Sequence, residues 1–318
     1  MIQLLRKTGF RTPAAVVGIF ILALVAFPGQ AGKAPARVVS TDPEQRLMMS
    51  DEFAAMKAAS SFKDLKWQFL GPTNISGRVT DVEVASPKGK TYTMYVATAS
   101  GGVWKTDNEG TTWEPVFENA VSTAVGDIAL DPSNPQILWV GTGEANIFRS
   151  SQSGAGIYQS VDGGKTWAHQ GLAGTNTIAR IVVHPKNGDV VYVAASGNEW
   201  TKNLERGVYK TVDAGRNWEK ILSVDAETGA IDLVMDPQDN NALYAATWQR
   251  TRKKWNDPRN DASSSGSGVW KTTDAGRTWK QANHGLPEAK FRGRIGLDLC
   301  RTKPNVLYAF VDNYEKAR

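Results

Sequence analysis

Four copies of one twelve-residue pattern constrain this chain more than any other feature. Each reads glycine, Val/Ile, aromatic, Lys/Gln, Ser/Thr, any, Asp/Asn, any, Gly, any, Thr/Asn, Trp, and the copies begin at Gly102, Gly156, Gly207 and Gly268. Their closing tryptophans, Trp113, Trp167, Trp218 and Trp279, stand 54, 51 and 61 residues apart. Recurrence at this period is the mark of an array whose units bury their faces only against neighbours, as the blades of a β-propeller do.

The text between the copies supports the same reading. Each repeat offers a strand A (79–85, 126–130, 180–183, 231–235, 294–299), a turn rich in Pro, Asn and Asp, and a strand B (92–98, 137–141, 190–195, 242–247, 306–311). The pattern itself then supplies strand C, a tight turn and the start of strand D. The expectation is an all-β fold, a β-propeller of four-stranded antiparallel blades, with blade 1 at 77–120, blade 2 at 121–172, blade 3 at 173–224, blade 4 at 225–286 and half of blade 5 at 287–318. Residues 66–72, beginning near Trp67, read as a strand D with no A, B or C before it, the closing strand of a ring. On that reading the sequence is the N-terminal part of a longer propeller. The alternative is a small complete propeller with a degenerate tail.

Residues 1–31 read as an export leader: Arg6, Lys7 and Arg11 precede an apolar run at 14–27, closed by Pro28 and the small-residue stretch Gly29-Gln30-Ala31. The run is short for a membrane span, so an exported chain with no stable span after cleavage is expected. The formal net charge is +5, and removing the three leader cations leaves a mature chain near +2. That is too little to argue for nucleic acid. Residues 32–65 read as a linker and a short helix that Asp42-Pro43-Glu44 opens, with Met49, Phe53 and Met56 as its packing stripe. The single Cys300 excludes an internal disulfide and reads as a buried apolar residue. The three histidines, His169, His184 and His284, have no ligand-like spacing, so neither a metal site nor a cofactor is expected.

The pattern resembles the Asp-box (BNR) repeat, Ser/Thr-x-Asp-x-Gly-x-Thr-Trp, of sialidases, xyloglucanase-type glycoside hydrolases and the sortilin-type receptor propeller. The surrounding text, such as Gly101-Gly-Val-Trp-Lys-Thr, resembles large secreted bacterial proteins with sortilin-like or glycosyl-hydrolase-like repeats. The resemblance spans 66–312. It implies that Asn108, Asp162, Asp213 and Asp274 are turn devices, the carboxylate accepting N–H bonds while the Trp covers the hairpin.

Function is therefore expected where the B–C loops converge. Those loops, together with the first inner strand, carry Arg78, Glu144, Arg149, Glu199, Trp200, Arg206, Trp248 and Arg250, the candidate ligand-binding residues; the aromatic-plus-charged composition suits a protein or glycan ligand. In the xyloglucanases that the repeat resembles, a catalytic Asp closes the first strand B, and here that position is Ala99. The expectation is an exported, non-catalytic recognition or scaffold propeller, sortilin-like, with a glycoside hydrolase of xyloglucanase or sialidase type as the alternative. Asp81, Asp127 and Asp232 beside Arg180 and Arg294 are expected to form ion pairs between blades.

Overall fold

Strand B of each repeat is apolar at consecutive positions rather than alternate ones, which requires both of its faces to be covered. The computed structural model describes residues 42–65, 78–85, 92–146, 151–251 and 266–315. The expected leader at 1–31, the expected closing strand at 66–72 and Arg149 lie outside them.

Beyond one N-terminal helix the described residues form an all-β fold, with five antiparallel sheets in sequence. The first holds β1 (Val79–Val84), β2 (Met94–Thr98), β3 (Val103–Thr106) and β4 (Glu114–Pro115). The second holds β5 (Val125–Asp131), β6 (Asn134–Thr142), β7 (Ile157–Ser160) and β8 (Ala168–His169). The third holds β9 (Ile178–Val183), β10 (Val191–Ala195), β11 (Gly207–Thr211) and β12 (Glu219–Leu222), and the fourth β13 (Thr228–Met235), β14 (Leu243–Gln249), β15 (Gly268–Thr272) and β16 (Lys280–Gln281). The last pairs β17 (Arg292–Leu299) with β18 (Leu307–Asn313). Each four-stranded sheet is a meander in which every strand pairs with its sequence neighbour. The aromatic of the repeat meets the same place on strand B each time: Trp104 opposite Val96, Tyr158 opposite Val140, Tyr209 opposite Val193, Trp270 opposite Ala245.

The core lies between successive sheets. On β6, Leu138 and Val140 join the cluster shared with the first sheet, while Trp139 joins the one shared with the third. On β10, Val191 and Val193 face back and Tyr192 and Ala194 face forward. The period-2 alternation of a strand thus divides one apolar run between two neighbours, each buried Val or Leu contributing about 1.5–3 kcal/mol. The sheets approach closely on the inner side. A Cβ on Gly126 of β5 would lie 1.9 Å from the carbonyl oxygen of Ile178, so only glycine fits.

The repeat turns are built alike. In the second sheet the Thr166 N–H and hydroxyl donate to Asp162 at 2.9 and 2.6 Å, and Ser160 Oγ donates to it at 2.8 Å. Gly164 N in turn donates to Ser160 Oγ at 2.8 Å. Asp213 with Asn217 and Asp274 with Thr278 repeat this, and Asn108 with Thr112 does so through an amide. Two successive residues of the turn are left-handed, and the first is not always glycine: Glu109, Ala214 and Ala275 have φ of 60°, 56° and 58°. Two of the tryptophans do more than cover their own hairpins. Trp167 Nε1 donates to Val116 O of the preceding sheet at 2.6 Å, and Trp218 Nε1 to Gln170 O at 2.7 Å. The second and third repeat turns are thus also clasps on the segments before them.

These bonds to the charged form, the side-chain bond from Thr166, Asn217 or Thr278 foremost, hold Asp162, Asp213 and Asp274 down at about 2. An unfolded aspartate titrates near 3.9, so this stabilisation is complete above about pH 4 and is lost as pH falls toward 2. We expect the urea midpoint to fall across that window and to fall less steeply in Asp274→Asn, which keeps the acceptor but not the proton site. Equal slopes in parent and variant would contradict this account.

Two expectations need correction. Helix α1 (Pro43–Ala59) forms with Asp42 as its N-cap, accepting from Glu44 N and Gln45 N, but Met49, Phe53 and Met56 are exposed. Hydrogen bonds tie the helix to the sheets' loops: Arg46 donates to Gly154 O at 2.6 Å and Ala173 O at 3.3 Å, and Lys57 to Asn119 Oδ1 at 3.1 Å. Cys300 is partly exposed in the turn after β17, with Sγ 3.5 Å from Thr302 Oγ1, because that turn is outside the core.

Candidate functional site

The inner strands present N–H groups with no further strand to pair with, and acidic side chains meet that need. Asp127 on β5 accepts from Ile181 N at 2.6 Å and from Arg180 Nη1 at 3.0 Å. Arg180 Nε reaches Asp232 Oδ1 at 3.1 Å, and the other oxygen of Asp232 accepts from Leu297 N at 2.8 Å. One arginine therefore bridges three successive sheets. Burial pushes the Asp127 carboxyl up, with Arg180 and the Ile181 N–H opposing, while Asp127 above all raises Arg180. Arg294 on β17 is pulled down by burial, with Asp232 opposing.

The B–C loops hold the remaining candidates. Arg78, at the head of β1, donates to Glu144 Oε2 at 2.6 Å; its side chain is 51% exposed, whereas that of Glu144 is fully buried. Ala145, next to Glu144, lies in the same apolar cluster as Trp248. Arg250 stacks over the Trp248 ring, 4.4 Å from its centroid, with Nε 3.8 Å from Glu199 Oε2, and both charged side chains are buried. Trp200 is different: it is 51% exposed. Arg206 is fully buried, its guanidinium donating to Glu227 O, Asn198 O and Thr201 O at 2.7, 2.6 and 3.2 Å.

The structure thus assembles Glu199, Trp248 and Arg250 into one group and Arg78 with Glu144 into another. Sequence reasoning missed Asn203, whose amide donates to Asn198 O at 2.9 Å and Thr201 O at 3.0 Å. The signal was present as two asparagines in a short loop after Gly197, since Asn bonds local backbone readily. Among the described residues no group of three or more His, Cys, Asp or Glu side chains could hold a metal ion. No helix there is long and apolar enough to cross a membrane.

Four-stranded antiparallel meanders stacked one against the next in sequence define a β-propeller protein. A solved ancestral GH74 enzyme superposes with a TM-score of 0.57 at 23% identity, over 75% of this chain and 28% of that one. The GH74 enzyme of Niastella koreensis does so with a TM-score of 0.50 at 20% identity, over 75% and 34%. The Sortilin-Vps10 family profile, described as sortilin, neurotensin receptor 3, matches residues 155–317, half of the chain. The chain belongs to the Sortilin-Vps10 family. Curated relatives are xyloglucanases: one from Hypocrea jecorina is 26% identical over 212 residues, 58% of this chain and 24% of its own length. Another, from Acetivibrio thermocellus, is 26% identical over 113 residues, 33% and 11% respectively. The chain spans about a quarter or less of the length of these relatives.

Proposed function

We propose that the chain is part of an exported, glycan-directed propeller of glycoside-hydrolase type, binding a β-glucan such as xyloglucan at the B–C loop end. The observation that carries this reading is Trp200, a half-exposed indole on a loop that the buried Arg206 holds through its backbone carbonyls. An apolar ring in a polar frame suits the face of a pyranose. The xyloglucanase relatives support the same substrate class.

A second reading, recognition without hydrolysis by these blades, is favoured by Ala99. It is buried, its N–H donates to Arg78 O at 3.0 Å, and it supplies no carboxyl where the resemblance places the catalytic acid. A glycosidase needs two carboxyl groups, one protonated and one ionised, and Glu144 and Glu199 each stand against an arginine instead.

Calorimetric titration with soluble xyloglucan tests the proposal. Trp200→Ala is expected to weaken binding about tenfold, equivalent to about 1.4 kcal/mol, with the melting temperature unchanged. Failure of the parent to bind xyloglucan or cello-oligosaccharides would remove the glycan reading. Binding without release of new reducing ends would assign the chain to recognition.

A further inference from the structure

The loop at 197–206 is bound together around one buried cation. Arg206, at its end, turns back to bond Asn198 O and Thr201 O on either side of Trp200, and Glu227 O on the segment leading into β13. Asn203 adds two bonds to the same two carbonyls, and its own N–H donates to Ala226 O at 2.9 Å. Asn198 Oδ1 accepts from Trp200 N at 2.9 Å, fixing the tryptophan backbone directly. Lys202 closes the outside by pairing with Glu227 Oε1 at 3.1 Å. Gly197 is left-handed, at φ of 76°, and a Cβ there would lie 2.4 Å from Arg206 Cγ, so only glycine leaves room for the guanidinium arm.

We infer that Arg206 is a positioning residue: its guanidinium ties the ends of the Trp200 loop to each other and to the fourth sheet, and so presents the indole of Trp200 as a rigid platform for a sugar ring. A flexible loop would have to lose conformational freedom on binding, whereas this one is ordered beforehand. Arginine suits the task because its planar fork donates to several carbonyls at once, which a lysine ammonium at that depth cannot match. Several backbone carbonyls would lose their partner together if it were removed. The ligand named here rests on the proposed glycan reading, while the positioning of Trp200 does not.

The test uses the full chain, with trypsin as a probe of the Lys202 peptide bond and soluble xyloglucan as the ligand. In Arg206→Lys, cleavage after Lys202 is expected about tenfold faster, as local opening becomes more populated. Global stability in urea should fall by no more than the equivalent of that factor, about 1.4 kcal/mol, and the xyloglucan-induced change in emission that Trp200→Phe abolishes should require about tenfold more ligand. Gly197→Ala, which displaces Arg206 without altering its charge, should do the same. Two results would overturn the inference: unchanged protection at Lys202 with weakened binding, which makes Arg206 a ligand contact, or cleavage accelerated throughout the chain, which makes it a general structural residue. A parent that does not bind xyloglucan, with the loop still loosened in both variants, would support the positioning of Trp200 and refute the glycan reading.

Discussion

Trp167→Ala is expected to lower the unfolding free energy by about 3–5 kcal/mol, the range for deleting a large aromatic from a packed site. The indole meets Phe117 edge-on at 5.0 Å and belongs to the apolar contacts between the first and second sheets. Its Nε1 bonds Val116 O at 2.6 Å and Gly164 O at 3.1 Å, so alanine would also leave the Val116 carbonyl without this donor. Trp113, at the same place in the first repeat, is 38% exposed, and Trp113→Ala should cost only about 1–2 kcal/mol. Urea titration of both variants checks the contrast. Equal losses would show that the tryptophan acts within its own hairpin rather than on the sheet before it.

Arg180→Met should be the next most damaging change. Asp127 is 3% exposed and Asp232 10%, and removing their shared cation leaves two buried carboxylates uncompensated. Loss of one partner from a buried pair costs about 3–5 kcal/mol; because Arg180 itself is 39% exposed, water can enter and the lower end, about 3 kcal/mol, is expected. Adding Asp127→Asn and Asp232→Asn to Arg180→Met should recover part of that loss, since the amides keep an acceptor for Ile181 N and Leu297 N without a charge. A triple variant less stable than Arg180→Met alone would refute this view of the ladder.

The fold was legible because its signal is repeated. Four turns with the same Asp/Asn, Gly and Trp spacing require the same local hydrogen bonds wherever they fold, and strand B follows from a run of adjacent apolar residues bounded by turn residues. The ion pairs of Arg180 were also legible, as opposite charges on neighbouring inner strands. The candidate site was legible only as composition. Glu144, Glu199 and Arg250 read alike as charged loop residues, yet they are buried against partners, and Trp200 alone among the aromatic candidates stands half exposed. Arg206 looked like a ligand group because arginine so often is one; three carbonyls brought together by the loop claim it instead.

The blade unit and the chemistry of its turns are local properties of the chain, set by residues close to one another in sequence. What each side chain does between blades depends instead on how distant segments are brought together. Trp167 bonds a carbonyl 51 residues away and Arg180 bridges carboxylates 53 and 52 residues from it, distances over which no local pattern records contact. Burial and partnership across such separations follow from how the sheets stack, and they separate a buried arginine from a half-exposed indole.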